Sequence, residues 1–346
     1  MALKAGIVGY GLAGKVFHAP LLPAAGIELA GVASSDPAKV HADHPDATVH
    51  ATADALFADD SLDLVILASP SATHAPLAIK ALQAGRHVVV DKPFATTVAE
   101  ADQVIEAARS ANRLVTCFQN RRWDGDFLTL RHLIEQDRLG PIHAYEAHFE
   151  FFKPAPADRW QETPGPGVGV HFDLGAHLID QALVLFGRPD WVEGEAIIQR
   201  PGGQVPDAFF ARLAFGPVRA TLTGSYFSAD NRSRCVAHGA RGSWRKWHMD
   251  VQEEQLRAGL TPLDPGFGIE PVDRHGSLTS LSDNGLQRVT IDTRPGTHHE
   301  FYRQMRRAIE NGGPPPVDPN DARNTIEVIE ALVASGKTGK RVGLSG

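Results

Sequence analysis

A chain of 346 residues exceeds the usual size of one domain, about 100–200 residues, so two domains are expected. Its composition, 42% hydrophobic and 22% charged, belongs to a globular protein with a sizeable core and excludes a disordered chain. A net charge of -7 excludes a general nucleic-acid or acidic-membrane surface, which needs a cationic face, while leaving room for one local basic pocket.

The apolar run Leu3–Val8 ends in glycine-rich sequence, and glycines at 6, 9, 11 and 14 interrupt any hydrophobic helix, so the start reads as strand and turn. A helix is predicted from that turn to about Ala24, despite Pro20 and Pro23. Further strands are predicted at Ile27–Ala33, Ala47–His50, Leu64–Ala68, His87–Val90 and Leu114–Phe118, with helical stretches such as Pro76–Ala84 and Val98–Ala111 between them. Strands alternating with helices imply a parallel sheet. The rhythm then changes. His143–Phe152, Trp191–Arg200, Ala208–Phe215, Val218–Phe227 and Arg232–His238 are successive strand candidates with few helices between them, which predicts a largely antiparallel sheet. Asp173–Phe186 is the clearest helix there, and His299–Glu310 and Asn320–Ala334 follow around the Pro-rich connector 312–316.

The fold expected is therefore α/β: a doubly wound parallel sheet over residues 1–119, then an α+β domain with a large, mostly antiparallel open sheet over residues 120–346. The only cysteines, Cys117 and Cys235, form no Cys-x-x-Cys pair, so a disulfide framework is not expected and a reducing, cytoplasmic location is. No apolar run approaches the roughly 20 residues needed to cross a bilayer.

Gly9-Tyr10-Gly11-Leu12-Ala13-Gly14 is a G-x-G-x-x-G that closes a predicted strand and opens a helix. In that setting Gly9 permits the tight turn, Gly11 lets a pyrophosphate meet backbone, and Gly14 lets helix approach sheet, so a Rossmann-type dinucleotide site is expected. Where the second strand ends, an NAD site usually carries an acidic residue. Here Ser34, Ser35 and Lys39 suit a 2′-phosphate instead, and NADP is expected over NAD, although Asp36 is placed to take the carboxylate role. After the fourth strand, Ser69 and Pro70 are expected beside the cofactor, Ser71 or Thr73 to cap the next helix, and His74 to approach the dinucleotide or to satisfy local hydrogen bonds.

These features, the long string Gly9 to Leu22, and the run Asn120-Arg121-Arg122-Trp123-Asp124-Gly125-Asp126-Phe127 resemble the Gfo/Idh/MocA oxidoreductase family, especially its branch of NADP-dependent scyllo-inositol dehydrogenases. The resemblance spans nearly the whole chain. It implies that Asp91-Lys92-Pro93 corresponds to the family's Glu-Lys-Pro motif, with a cis bond before Pro93, with Asp91 and Pro93 beside the cofactor, and with Lys92 beside both nicotinamide and reacting oxygen. Phe172-Asp173-Leu174-Gly175-Ala176-His177 matches the family's helix motif. Asp173 and His177 stand four residues apart, which places them on one helical face; on that spacing alone they are equally a stabilising pair. The resemblance implies that His177 is the general base and that Asp173 supports it and contacts substrate.

His171, Asp173 and His177 also form H-x-D-x-x-x-H, but no metal is expected, since nicotinamide hydride transfer needs none. Gln119 and Asn120 are expected near the cofactor amide or substrate hydroxyls. Trp160 is expected either to line the nicotinamide and substrate pocket or to pack internally; it is followed by Gln161 where the family pattern carries arginine. The activity expected is an NADP-preferring oxidoreductase acting on a small sugar, inositol or other polyol, assembled as a homodimer or homotetramer through the second sheet and binding neither nucleic acid nor membrane. The alternatives are a catalytically silent NADP-sensing regulator and a reductase of non-sugar carbonyls or imines.

Overall fold

The computed structural model describes residues 3–344, so the first and last two positions of the expected domains lie outside it. Strand β1 (Leu3–Val8) leads through a glycine turn to β2 (Ile27–Ala33), helix α1 (Pro37–Asp43), β3 (Thr48–His50) and α2 (Ala53–Phe57). Strand β4 (Leu64–Leu67), α3 (His74–Gln83), β5 (His87–Val90), α4 (Val98–Ala111) and β6 (Val115–Cys117) follow. The six strands form one parallel sheet in the order β3-β2-β1-β4-β5-β6. The order reverses beside β1, which makes the carboxyl edge there the switch point of a doubly wound sheet. All of β4 is buried, as a parallel strand covered on both faces must be. Helix α4 matches the sequence reading because its ends are chemically marked: Thr97 caps the Glu100 amide, Glu100 reaches back to Thr96, and Asn112 turns left-handed at φ 50°.

The long first helix expected up to Ala24 does not form. The chain makes a wide π turn at Ala13–His18 and two short 3₁₀ turns at Ala19–Leu21 and Pro23–Ala25. Pro20 and Pro23 lack the amide a continuing α-helix requires.

The second sheet begins after helix α5 (Gly125–Glu135) with β7 (Ile142–Glu150); α6 (Val170–Asp173) and α7 (Gly175–Phe186) precede β8 (Trp191–Ile197), β9 (Ala208–Phe215), β10 (Val218–Ser225), β11 (Cys235–Gly239) and β12 (Gly242–Lys246). Then come α8 (Gln252–Arg257), β13 (Gly276–Ser282), β14 (Gly285–Ile291), α9 (His299–Asn311), α10 (Pro319–Thr338) and β15 (Val342–Gly343). The nine strands lie in the order β14-β13-β12-β11-β7-β10-β9-β8-β15, and every adjacent pair is antiparallel except β7 and β10. Tyr145, Ala147 and Phe149 share one face of β7 and are buried; on the other face Glu146 is exposed, while His148 and Glu150 further along the strand are buried.

The chain divides into two compact units. The first runs to Asn120 and also holds Gln252–Phe267 and Thr297–Ile326; the second holds Arg121–Val251, Gly268–Gly296 and the chain from Glu327. Within the first, Thr116 Oγ1 donates to Val317 O at 2.8 Å, and Phe118 meets Phe301 edge-on at 4.9 Å. Among the described residues, no helix is long and apolar enough to cross a membrane.

Candidate active site

In the first unit the carboxyl ends of successive strands come into register. Gly9 N donates to Ala33 O, Ala68 N to Val8 O, Asp91 N to Leu67 O and Phe118 N to Val90 O. This ladder brings the Gly9–Gly14 turn, Ser34, Ser69, the Asp91–Pro93 segment and Gln119 to one edge. Gly9 has φ +92°, and a Cβ there would lie 2.7 Å from the Ala68 carbonyl oxygen. A Cβ on Gly14 would collide with the Gly9 carbonyl, whereas one on Gly11 would meet nothing within 4 Å. Two glycines are therefore required by the turn's own packing and the third is not, which is the pattern of a cradle open to a ligand.

Tyr10 donates its hydroxyl to Asp43 Oδ2 at 3.0 Å, and Lys15 pairs with the same oxygen at 2.7 Å. Burial, then the hydrogen bond to Asp43, pushes the Tyr10 hydroxyl pKa upward. Lys15 holds Asp43 below the ordinary carboxylate range. Leu12 is exposed and Ala13 starts the π turn. Ser34 Oγ accepts from Asp36 N at 3.1 Å, and Asp36 Oδ1 accepts from Lys39 N at 3.0 Å. The Asp36 carboxylate thus serves as the N-cap of α1, which sets it to work on a helix amide. Ser35 and Lys39 are exposed beside it.

Neither Ser71 nor Thr73 caps α3 through its side chain. Ser71 lies in a 3₁₀ turn, and Thr73 Oγ1 bonds Pro70 O and Ser69 Oγ, each at 2.7 Å. His74 is buried with Nδ1 2.7 Å from Pro93 O and Nε2 2.9 Å from Ser69 O, so its ring clamps the loop after β4 to the turn after β5. The Lys92–Pro93 bond is cis, as the family resemblance implied. Asp91 Oδ1 accepts the Lys92 amide at 2.8 Å and lies 3.8 Å from His18 Nε2, while His18 Nδ1 lies 2.5 Å from the Tyr302 hydroxyl. Burial opposes charge on Asp91, but His18, then Lys92 and His74, hold its pKa below the usual carboxylate value. Sequence pattern did not reveal His18 and Tyr302 as supports of the lysine-bearing turn, for they stand 284 residues apart. Gln119 is buried and Asn120 opens the short turn that ends this unit's first stretch.

In the second unit, Asp173 and His177 do not share one unbroken helix from Asp173 onward. Asp173 closes α6, Leu174 intervenes with φ −98°, and His177 lies in the first turn of α7. A Cβ on Gly175, the next residue, would lie 3.3 Å from the Phe209 ring, so a side chain there has little slack. Tyr226 donates its hydroxyl to Asp173 Oδ2, a partner the i,i+4 reading missed. Its ring is ringed by cations: Lys153 Nζ at 4.6 Å, Arg200 at 5.3 Å and Arg159 at 5.6 Å from the centroid. Burial and then the Asp173 charge raise the Tyr226 pKa, keeping it a donor.

His177 is buried and 6.3 Å from the Phe149 ring, while burial drives His171 down to about 4, keeping it neutral near neutral pH. Arg122 grips Asp180, one turn beyond His177, through two bonds of 2.8 and 2.7 Å, and Gln181 Nε2 donates to Arg121 O at 2.9 Å. These contacts tie the chain just after β6 to the helix that carries His177. Trp160, 42% exposed, begins a turn whose Glu162 binds Arg159 and Arg200.

A glycine cradle at the reversal point of a parallel sheet defines a dinucleotide-binding α/β protein. Residues 3–119 match the profile of the oxidoreductase family's NAD-binding Rossmann fold, and residues 131–344 match the profile of its C-terminal alpha/beta domain. The chain belongs to the Gfo/Idh/MocA oxidoreductase family. It is 41% identical over 338 residues to the uncharacterized oxidoreductase YdgJ of Escherichia coli, covering 97% of this chain and 96% of that one. It is 35% identical over 336 residues to the NADP⁺-dependent scyllo-inositol 2-dehydrogenase IolW of Bacillus subtilis, covering 97% and 94%. The solved structure of YvaA from Bacillus subtilis superposes with a TM-score of 0.97 at 34% identity, covering 99% of each chain.

Proposed function

We propose that the protein is an NADP-preferring dehydrogenase that oxidises a CH–OH group of a sugar, inositol or related polyol, or reduces the corresponding carbonyl. The observation that carries this reading is the glycine cradle at the switch point in the same unit as the Asp91-Lys92-Pro93 turn, with β5 adjacent to β4 and β4 to β1. The similarity to a scyllo-inositol 2-dehydrogenase supports the polyol class.

Gly9 through Gly14 would hold the dinucleotide's phosphates, Ser34, Ser35 and Lys39 its 2′-phosphate, and Ser69, Pro70, His74, Asp91, Pro93, Asn120 and Trp160 its remaining surface. Use of Asp36 as a helix cap supports the 2′-phosphate assignment, because that carboxylate is engaged by the Lys39 amide. Bound there, the nicotinamide supplies the hydride acceptor or donor. In the oxidation direction, His177 takes the substrate hydroxyl proton on its ring nitrogen, and Asp173 orients the substrate and supports the imidazolium that forms. Lys92 donates to the same substrate oxygen and stabilises its developing negative charge. Gln119, Asn120 and Trp160 contact the remaining substrate. The chemistry requires no metal. A cytoplasmic homodimer or homotetramer packed through the open face of the second sheet completes the reading.

The test is incubation of the purified protein with NADP⁺ and then NAD⁺ across a panel of inositols, aldoses and alditols, following reduced nicotinamide by absorbance. Turnover of polyols with a lower KM for NADP⁺ is expected. Tight NADPH binding without turnover of any polyol, carbonyl or imine would instead indicate a cofactor-sensing regulator.

A further inference from the structure

Lys153 is a half-buried cation that the proposed reaction does not use. Among the described residues, no carboxylate forms an ion pair with it; its ammonium lies over two aromatic faces, 4.7 Å from the Phe151 centroid and 4.6 Å from that of Tyr226. The two neighbouring cations are already neutralised. Arg200 binds Glu162 at 2.8 Å and Asp207 at 3.0 Å, and Arg159 binds Glu162 at 2.9 Å. Withdrawing an ammonium from water without an ion-pair partner is costly, and aromatic faces compensate only in part.

The position is also rigid and close to Asp173. Lys153 N donates to Tyr226 O at 2.7 Å, and Arg200 Nη1 donates to Lys153 O at 3.2 Å, fixing the backbone on both sides. The same Tyr226 ring that faces Lys153 carries the hydroxyl donated to Asp173. One tyrosine ring thus separates a rigidly held cation from a residue assigned to substrate binding. Burial, then the Arg159 charge, lowers the Lys153 pKa against the partial compensation of the Asp173 and Glu162 charges, a net cost that an approaching anion would offset.

We propose that Lys153 is a specificity-determining residue that binds a carboxylate of the substrate, so that the preferred polyol is a sugar acid, an aldonate or uronate. This rests on the dehydrogenase reading above and narrows it. A single ammonium suits one carboxylate. Bidentate arginine contacts would favour a phosphate further, and both arginines here are occupied.

The experiment compares acid and neutral members of matched pairs: glucuronate with glucose, galacturonate with galactose, gluconate with glucitol. Two readouts are taken, kcat/KM with NADP⁺ and the Kd of each acid for the NADPH-loaded protein by calorimetry. The native protein is expected to favour the acids. Lys153→Met should lower the acid-to-neutral ratio of kcat/KM and the acid affinity at least tenfold each, and Lys153→Arg should retain most of both; an unchanged Kd for NADPH certifies folding. Neutral sugars used as well as their acids, or a ratio unmoved by Lys153→Met, overturns the proposal. If no member of any pair and no inositol is turned over, the dehydrogenase reading fails by itself. Calorimetry then decides the inference: Lys153-dependent binding of an acid supports it, and absence of that binding overturns it.

Discussion

Alanine at Gly9 and at Gly11 should separate what the glycine turn needs for folding from what it needs for a ligand. At Gly9 the backbone lies at φ +92°, and the new methyl would sit 2.7 Å from the Ala68 carbonyl oxygen. That is about 0.6 Å inside a comfortable C···O separation of roughly 3.3 Å. The clash is with backbone, so no side chain can swing aside. Left-handed strain and overpacking together should cost about 2–5 kcal/mol. At Gly11 a Cβ meets nothing within 4 Å, so Gly11→Ala should leave stability within about 0.5 kcal/mol of the native protein. In the proposed cofactor site its methyl nevertheless stands where backbone would approach a pyrophosphate. Losing one charge-assisted hydrogen bond, about 1.5–3 kcal/mol, raises Kd roughly tenfold to hundredfold. Urea unfolding of the free protein and calorimetric titration with NADPH measure the two effects. Native-like NADPH affinity in Gly11→Ala would refute the cradle, and native-like stability in Gly9→Ala would refute the strain argument.

Tyr226→Phe removes the donor to Asp173; because that carboxylate is only partly buried, the loss in stability should be about 1–2 kcal/mol, with a drop of roughly tenfold in kcat/KM. The loss should vanish when Asp173→Ala is already present, a double-mutant cycle that unfolding and kinetics can both read. His171 supplies a pH test. Its imidazole titrates at about 4 in the folded chain against 6.5 unfolded, so between those values the unfolded chain binds the extra proton. Stability from this group is complete above pH 6.5 and is lost as pH falls through the window, by about 2 kcal/mol between pH 7.5 and 5. Urea unfolding of His171→Phe should show a correspondingly flatter pH dependence; an identical slope would remove His171 as the cause.

Local chemistry made much of this molecule readable in its sequence. The runs at β1, β2, β4 and β5, the capped helix Val98–Ala111, the exact strand Ala208–Phe215 and the glycine turn all carry their signal within a few residues. What escaped depends on contacts that sequence order hides. The link from Tyr302 through His18 to Asp91, the Tyr226 bond to Asp173, and the docking of Phe301 on Phe118 all join distant segments. The interruption at Leu174 escaped for a different reason: the helical period of the surrounding residues runs through it unbroken. His74 was recognised as chemically placed, but its two carbonyl partners emerge only once the turns after β4 and β5 are side by side.

In the proposed reaction Lys92 and His177 act on the same substrate oxygen. Single-turnover rates of Lys92→Met and His177→Ala, with a polyol found active for the native protein and with NADPH affinity measured alongside, test it most directly. Each variant is expected to lose at least about a hundredfold in rate while its Kd for NADPH stays within about threefold. Native-like rates in either variant, with the cofactor still bound, would contradict it.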